Sequence, residues 1–202
     1  MGRWQPDSRG RLSEAALALY AERGFEQTTA AEIAERAGLT ERTFFRHFSD
    51  KREVLFGGSE LLRDRIVAAV ATAPMQSGPV DAVALGLEAG AAMIGASRRD
   101  MARQRQAVIA ANPELREREL AKLADCATAV AAVLRGRGVA DPEASLAADA
   151  GMAVLRVAVE RWAQSEPEED LAATMYLSMV RLREMLGAYR PNATTGRSQA
   201  SL

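Results

Sequence analysis

Arg42 and Arg46 stand four residues apart in the stretch Thr28 to Lys51, TTAAEIAERAGLTERTFFRHFSDK, with Thr40, Thr43, His47 and Lys51 around them. At helical spacing the two guanidiniums share one face of a short helix. That combination suits duplex DNA. The major groove admits a helix, arginine matches the paired acceptors of guanine, and hydroxyl, imidazole and ammonium groups reach phosphate oxygens. Arg42 and Arg46 are therefore the candidates for base edges, and Thr29, Thr40, Thr43, His47 and Lys51 those for phosphates. Phe45 beside them offers a ring to a thymine methyl or a sugar. Phe44 and Phe48, also four apart, point the other way and should pack.

The residue inventory argues against catalysis. His47 is the sole histidine, and it has neither a Ser or Cys nucleophile nearby nor a cluster of metal ligands. Glu168 and Glu169 fall where a helix's first turn is expected, so their charge favourably meets the helix dipole. A phosphate-binding glycine loop is missing. The chain is read as a non-enzyme with no cofactor and no metal.

Positioning the arginines requires a helix-turn-helix. Thr29 with Glu32 three residues later has the form of a capping box, Gly38 supplies the positive-φ residue that ends the first helix, Leu39 plugs the corner, and Thr40 caps the second helix. Upstream, Leu12, Ala15, Ala16 and Leu19 form a helical stripe over Arg9 to Arg23, with Ser8 as a cap and Gly24 as its end. Phe25, Ile33, Phe44 and Phe48 should close a small core beneath. Downstream, Asp50 and Glu53 predict another capping box and a helix from about Lys51 to Ala73, with Val54, Leu55, Leu61, Leu62, Ile66 and Val70 buried. Gly57 and Gly58 interrupt it, either as a flexure between head and body or as a point of close contact. Further helices are predicted over 80–97, 98–110 and 114–135, then from Asp141-Pro142 to Gln164 and from Pro167 to Leu186. The pattern is all-α, about nine helices with no convincing strand.

Bulk properties narrow the setting. At 202 residues the chain makes one compact unit or two small ones with a shared core. Net charge is −1 and the pI about 6.0, so positive charge is local: Arg42, Arg46, Lys51 and Arg52, with Arg3, Arg9 and Arg11 upstream. Cys126 is the lone cysteine; it cannot form an intrachain disulfide, reads as a small buried hydrophobe, and accords with a reducing interior. The N-terminus lacks a signal-peptide core, and Glu88 and Arg156 interrupt the richest apolar runs, so neither export nor a membrane span is expected. The expected location is the cytoplasm.

AERGFEQTT before the helix pair and TFFRHFSDKREVLF after it resemble the tetracycline-repressor (TetR) family pattern, over roughly residues 9 to 56. Two positions depart from it. Phe45 stands where the family most often has Tyr, removing a phenolic phosphate contact, and Ala31 where many members carry Arg. Composition makes the polar, Pro-containing start a flexible arm (1–8) and the Ser-, Thr-, Gly- and Asn-rich end a disordered tail (189–202), and the resemblance implies a three-helix DNA-binding domain (9–50) and a six-helix ligand-binding and dimerisation domain (51–188) between them. It implies that the last two helices, apolar on more than one side, pack on their mate through Leu146, Ala150, Ala153, Val157, Met175, Met179 and Leu182. The middle helices should hold an adaptable apolar pocket with Leu87, Met93, Met101, Arg105, Leu123 and Trp162. The implied function is a homodimeric repressor that binds a near-palindromic operator in double-stranded DNA and is released by a small apolar or amphipathic ligand. The rival is a helical protein-interaction module with a vestigial or architectural head.

Overall fold

The computed structural model describes residues 7–95, 98–166 and 169–188. Among them nine α-helices follow in order: α1 Ser8–Arg23, α2 Ala30–Arg36, α3 Glu41–His47, α4 Ser59–Thr72, α5 Pro79–Ala91, α6 Arg99–Ala111, α7 Pro113–Gly136, α8 Glu143–Gln164 and α9 Leu171–Gly187. A 3₁₀ turn, Glu53–Phe56, precedes α4, and no strand occurs among these residues. The all-α expectation holds. The tail from residue 189 and most of the arm, residues 1–6, lie outside the described residues.

Local chemistry sets the helix ends of the head. Thr29 and Glu32 make the full reciprocal capping box at α2, Thr40 accepts from Thr43 N–H at α3, and Gly38 has φ 63° at the corner. Asp7, rather than Ser8, caps α1 by accepting from Gly10 N–H at 2.8 Å. Leu12, Phe25, Ile33, Phe44 and Phe48 are buried in one cluster. Val54, Leu55 and Phe56 join it, as do Val108, Ile109 and Leu115 from α6 and α7, so the head's core continues into the body.

The helix expected from Lys51 to Ala73 is not continuous. Its first turn is the 3₁₀ segment, and α4 starts only at Ser59. Of the Asp50–Glu53 box one half forms: Asp50 accepts from Glu53 N–H at 3.1 Å, but the Glu53 carboxylate turns to Arg118 and Lys122. Gly57 lies against Phe48, where a Cβ would come within 2.8 Å of the ring. Leu61, expected to be buried, is 64% exposed; the face of α4 that packs is that of Leu62, Ile66 and Val70, and Leu61 lies off it.

The body packs α4, α5, α7, α8 and α9 about Ile66, Val83, Val130, Leu134 and Met152. Small residues permit the approach: a Cβ at Gly86 would meet Val70 at 2.7 Å, and one at Gly151 would meet Val83 at 2.3 Å. Buried Arg99 spans from α6 to the α8–α9 connection, donating to the carbonyls of Ser165, Glu166 and Glu169 and stacking 4.9 Å from Trp162.

Several expected boundaries move. The helix predicted to reach Ser97 ends at Ala91, and Ser97 itself is outside the described residues. Asp141 does not cap α8; its carboxylate accepts from Arg135 and the Ser145 hydroxyl instead. Pro167 and Glu168 fall outside the described residues. Glu169 precedes α9, which Asp170 caps by accepting from Ala173 N–H, so no acidic residue occupies its first turn.

Candidate nucleic-acid interface and effector cavity

The reading face is built by α3. Its inward side is locked by Phe44, fully buried, and by Phe48 just past its end, with ring centroids 5.7 Å apart. The opposite side is then forced outward. Arg42 and Arg46 are exposed, Phe45 is 52% exposed, and its ring rests edge-on against Phe44 at 5.3 Å. Among the described residues neither arginine forms a salt bridge. Thr40 and Thr43 hydroxyls lie 3.0 Å apart on the same helix start, and Thr29 crowns α2.

His47 contacts the Arg46 guanidinium at 3.4 Å. Its pKa is lowered from 6.5, first by partial burial and then by the positive charges of Arg46 and Arg9. The ring is therefore neutral near pH 7 and can both donate and accept. Lys51 sits differently from the other candidates. Its ammonium donates to the carbonyls of Phe25 (2.9 Å) and Glu26 (3.1 Å) and stands 4.4 Å from the Phe25 ring. The Tyr20 hydroxyl donates to the Lys51 carbonyl at 2.6 Å. Lys51 thus clasps the α1–α2 loop to the end of the head, with one of its three ammonium hydrogens left for another acceptor.

A second feature lies in the body. A cavity of about 310 Å³ opens between α4, α6, α7 and α8, within the range of about 300 to 1,000 Å³ typical of ligand sites. Of the residues expected to line a pocket, Met93, Met101, Arg105 and Leu123 lie in its wall. Leu87 and Trp162 do not: Leu87 is buried in the body core, and the Trp162 indole donates to the Glu169 carbonyl under Arg99. Periodicity missed Ser59, Leu62, Lys122 and Cys126, because which helix faces which cannot be read along a single helix. The Cys126 thiol is pushed up to about 11 by burial, against a smaller opposing pull from Arg63. Leu55 and Phe56 also line the cavity, and both belong to the head's core. Arg105 ties the two together: its Nε donates to the Leu55 carbonyl at 2.7 Å, its Nη1 pairs with Glu119 at 2.8 Å, and its guanidinium lies 5.2 Å from the Phe56 ring.

The third expected surface divides. Leu146, Ala153 and Val157 of α8 are exposed and Ala150 is half-buried, beside exposed Tyr176 and Leu177 on α9. Met175 and Met179 instead point into the body core, and Leu182 packs partly against it. Met175, Met179 and Leu182 share one face of α9, so on that helix the expected set took the inward face, while Tyr176 and Leu177 lie on the outward one. Among the described residues no group of three His, Cys, Asp or Glu could hold a metal, and no helix is long and apolar enough to cross a membrane.

Comparison with known proteins matches residues 12–56 to the family "Bacterial regulatory proteins, tetR family" and residues 77–187 to the "MftR C-terminal domain". The chain is 36% identical over 76 residues to the HTH-type transcriptional regulator TcmR of Streptomyces glaucescens, across 38% of this chain and 34% of that one. It is 44% identical over 55 residues to the HTH-type transcriptional repressor KstR2 of Mycobacterium tuberculosis, across 27% of this chain and 26% of that one. The likeness therefore spans about a third or less of those relatives' lengths. Over nearly the whole chain it is similar to FadR of Thermus thermophilus, a transcriptional repressor solved in complex with lauroyl-CoA. Identity there is 26% and the TM-score 0.53, over 94% of this chain and all of that one.

Proposed function

This chain belongs to the TetR family of bacterial regulatory proteins, and on that premise we propose that it is a homodimeric, cytoplasmic transcriptional repressor released from its operator by a small amphipathic ligand. The observation that carries the reading is the two-sided α3, with Phe44 and Phe48 locked inward and Arg42, Phe45 and Arg46 presented to solvent. Arg42 and Arg46 read base edges, Phe45 meets a thymine methyl or sugar, and Thr29, Thr40, Thr43 and His47 take phosphates, joined by the remaining hydrogen of Lys51. Residues 9–50 act as the reading head and 51–188 as the body. Two heads, joined through the α8 and α9 face, would meet half-sites about one DNA turn apart.

The 310 Å³ cavity supports ligand control. Its wall includes Leu55 and Phe56, so a molecule inside presses on the turn that joins head to body. The ligand acts only to the extent that it binds the released arrangement more tightly than the DNA-bound one. The lauroyl-CoA bound by the similar FadR supports a ligand with an acyl chain.

Selection of a preferred near-palindrome from a random duplex pool, followed by gel-shift titration, tests the reading. Arg46→Ala should weaken operator binding by about 1 to 3 kcal/mol while leaving the dimer intact. Failure to select any sequence, or an unchanged affinity for Arg46→Ala, overturns it, and the first result favours the interaction-module rival.

A further inference from the structure

From the first turn of α1, Arg9 reaches across to the end of α3. Its guanidinium stands 5.3 Å from the centroid of the Phe48 ring, and Phe48 is buried, so the cation rests on a fixed platform. Gly57 closes the place from behind the ring, where a Cβ would come within 3.3 Å of Arg9 Nε. The His47 imidazole neighbours the same ring, with 6.5 Å between centroids, and lies 3.4 Å from the Arg46 guanidinium. Folding thus adds a cation from α1 to the charge that α3 presents.

Nothing offsets that charge. Among the described residues neither Arg9, Arg46 nor His47 forms an ion pair, and both arginines are exposed. The imidazole is held below its ordinary value of 6.5 by partial burial, then by Arg46 of α3 and Arg9 of α1. Both charged groups acting on it are therefore positive. A phosphodiester carries two free oxygens and one negative charge, which a guanidinium fork and an imidazole N–H can share.

We propose that Arg9 and His47 together hold one backbone phosphate of the operator at the junction of α1 and α3, beside the base assigned to Arg46, and that the imidazole takes up a proton from solvent as the phosphate docks. The inference rests on the regulator reading above and deepens it: α1 becomes part of the DNA surface, and Phe48, besides closing the head's core, seats a DNA-binding cation. The phosphate brings the negative charge that this corner lacks, which reverses the bias of Arg9 and Arg46 against the imidazolium. In the window between the free and the bound values the complex carries one more proton than its separated parts, so operator affinity rises as pH falls through it. His47 is the sole histidine, and no other side chain ordinarily titrates in that window.

Fluorescence anisotropy of the full chain with the selected operator and with a random duplex, over salt and pH, decides it. Arg9→Gln should weaken both duplexes alike and lower the salt slope by about one contact. Between about 50 and 200 mM salt the variant should therefore lose roughly threefold less affinity than the parent does. Arg9→Lys, which keeps a cation over Phe48, should keep the parent slope. The parent should bind its operator more tightly at about pH 6 than at about pH 7.5, by no more than about tenfold per unit, and His47→Gln should flatten the profile. An unchanged slope in Arg9→Gln, an equal loss of slope in Arg9→Lys, weakening confined to the operator, a flat parent profile, or a pH dependence that survives His47→Gln overturns the site. Any of these with an operator still bound by the parent leaves the regulator reading standing, whereas a parent that binds no duplex overturns both.

Discussion

His47 and Cys126 show how surroundings set the chemistry of single residues. The histidine's pKa is lowered by burial, Arg46 and Arg9, so the folded head prefers the neutral ring. Above pH 6.5 this has no effect on stability. As pH falls below 6.5 the unfolded chain takes up the proton first, and the head loses stability until the folded-state value is passed. An NMR titration should place the His47 midpoint below 6.5, and His47→Gln should blunt the acid sensitivity of the head over that window. A midpoint at or above 6.5 contradicts the placement beside Arg46. Cys126, with its thiol pushed up to about 11 by burial, should react with iodoacetamide at pH 8 far more slowly than a free thiol, and more slowly still when the cavity is filled. The outward placement of Arg42 and Arg46 was legible because Phe44 and Phe48 share their four-residue spacing, so packing one pair displays the other. The position of Lys51 was not, since its acceptors are backbone carbonyls some 25 residues away.

Among elements, the caps of α2 and α3 and the interruption at Gly57 and Gly58 were legible, whereas Asp7 rather than Ser8 caps α1 and only half of the Asp50–Glu53 box forms. The capping box of α2 depends on two residues three apart, and Thr29→Ala should cost the head about 1 kcal/mol in thermal or urea unfolding. No change would mean that the Thr29 and Glu32 bonds add nothing. The two glycines before α4 separate the alternatives left open by their pairing. Gly57 has an ordinary helical φ of −58° but leaves no room at Phe48, so Gly57→Ala should destabilise by about 1 to 3 kcal/mol through overpacking. Gly58 has open space around its Cα, and Gly58→Ala should fall within about 0.5 kcal/mol of the parent. Equal effects at the two sites would return the pair to the role of a flexure. The helical period of Val54 to Val70 carries no sign of this break, because the contact responsible is with Phe48 across the head.

The whole molecule adds a surface that one chain leaves uncovered. Leu146 is 65% exposed on α8, and Leu177 is 56% exposed on α9. Leu146→Glu or Leu177→Glu should yield monomers in sedimentation and depress operator binding, while the helical content of each chain stays intact. A variant that remains dimeric moves the interface elsewhere. The head's core continues into α6 and α7, a route for the proposed coupling; by linkage, ligand and DNA should then change one another's affinity by the same factor, which paired titrations measure.

By itself the sequence determined the helix-turn-helix, the inward and outward faces of α3 and an all-helical body, since caps, glycine corners and apolar periodicity act within a few residues of chain. Only the tertiary structure decided that Leu87 and Trp162 are core rather than cavity lining, that Met175 and Met179 turn inward, and that Arg9 of α1 lies over Phe48 at the end of α3. Those outcomes depend on how helices distant in sequence are rotated against each other, and rotation is set by packing between helices rather than by spacing within any one of them.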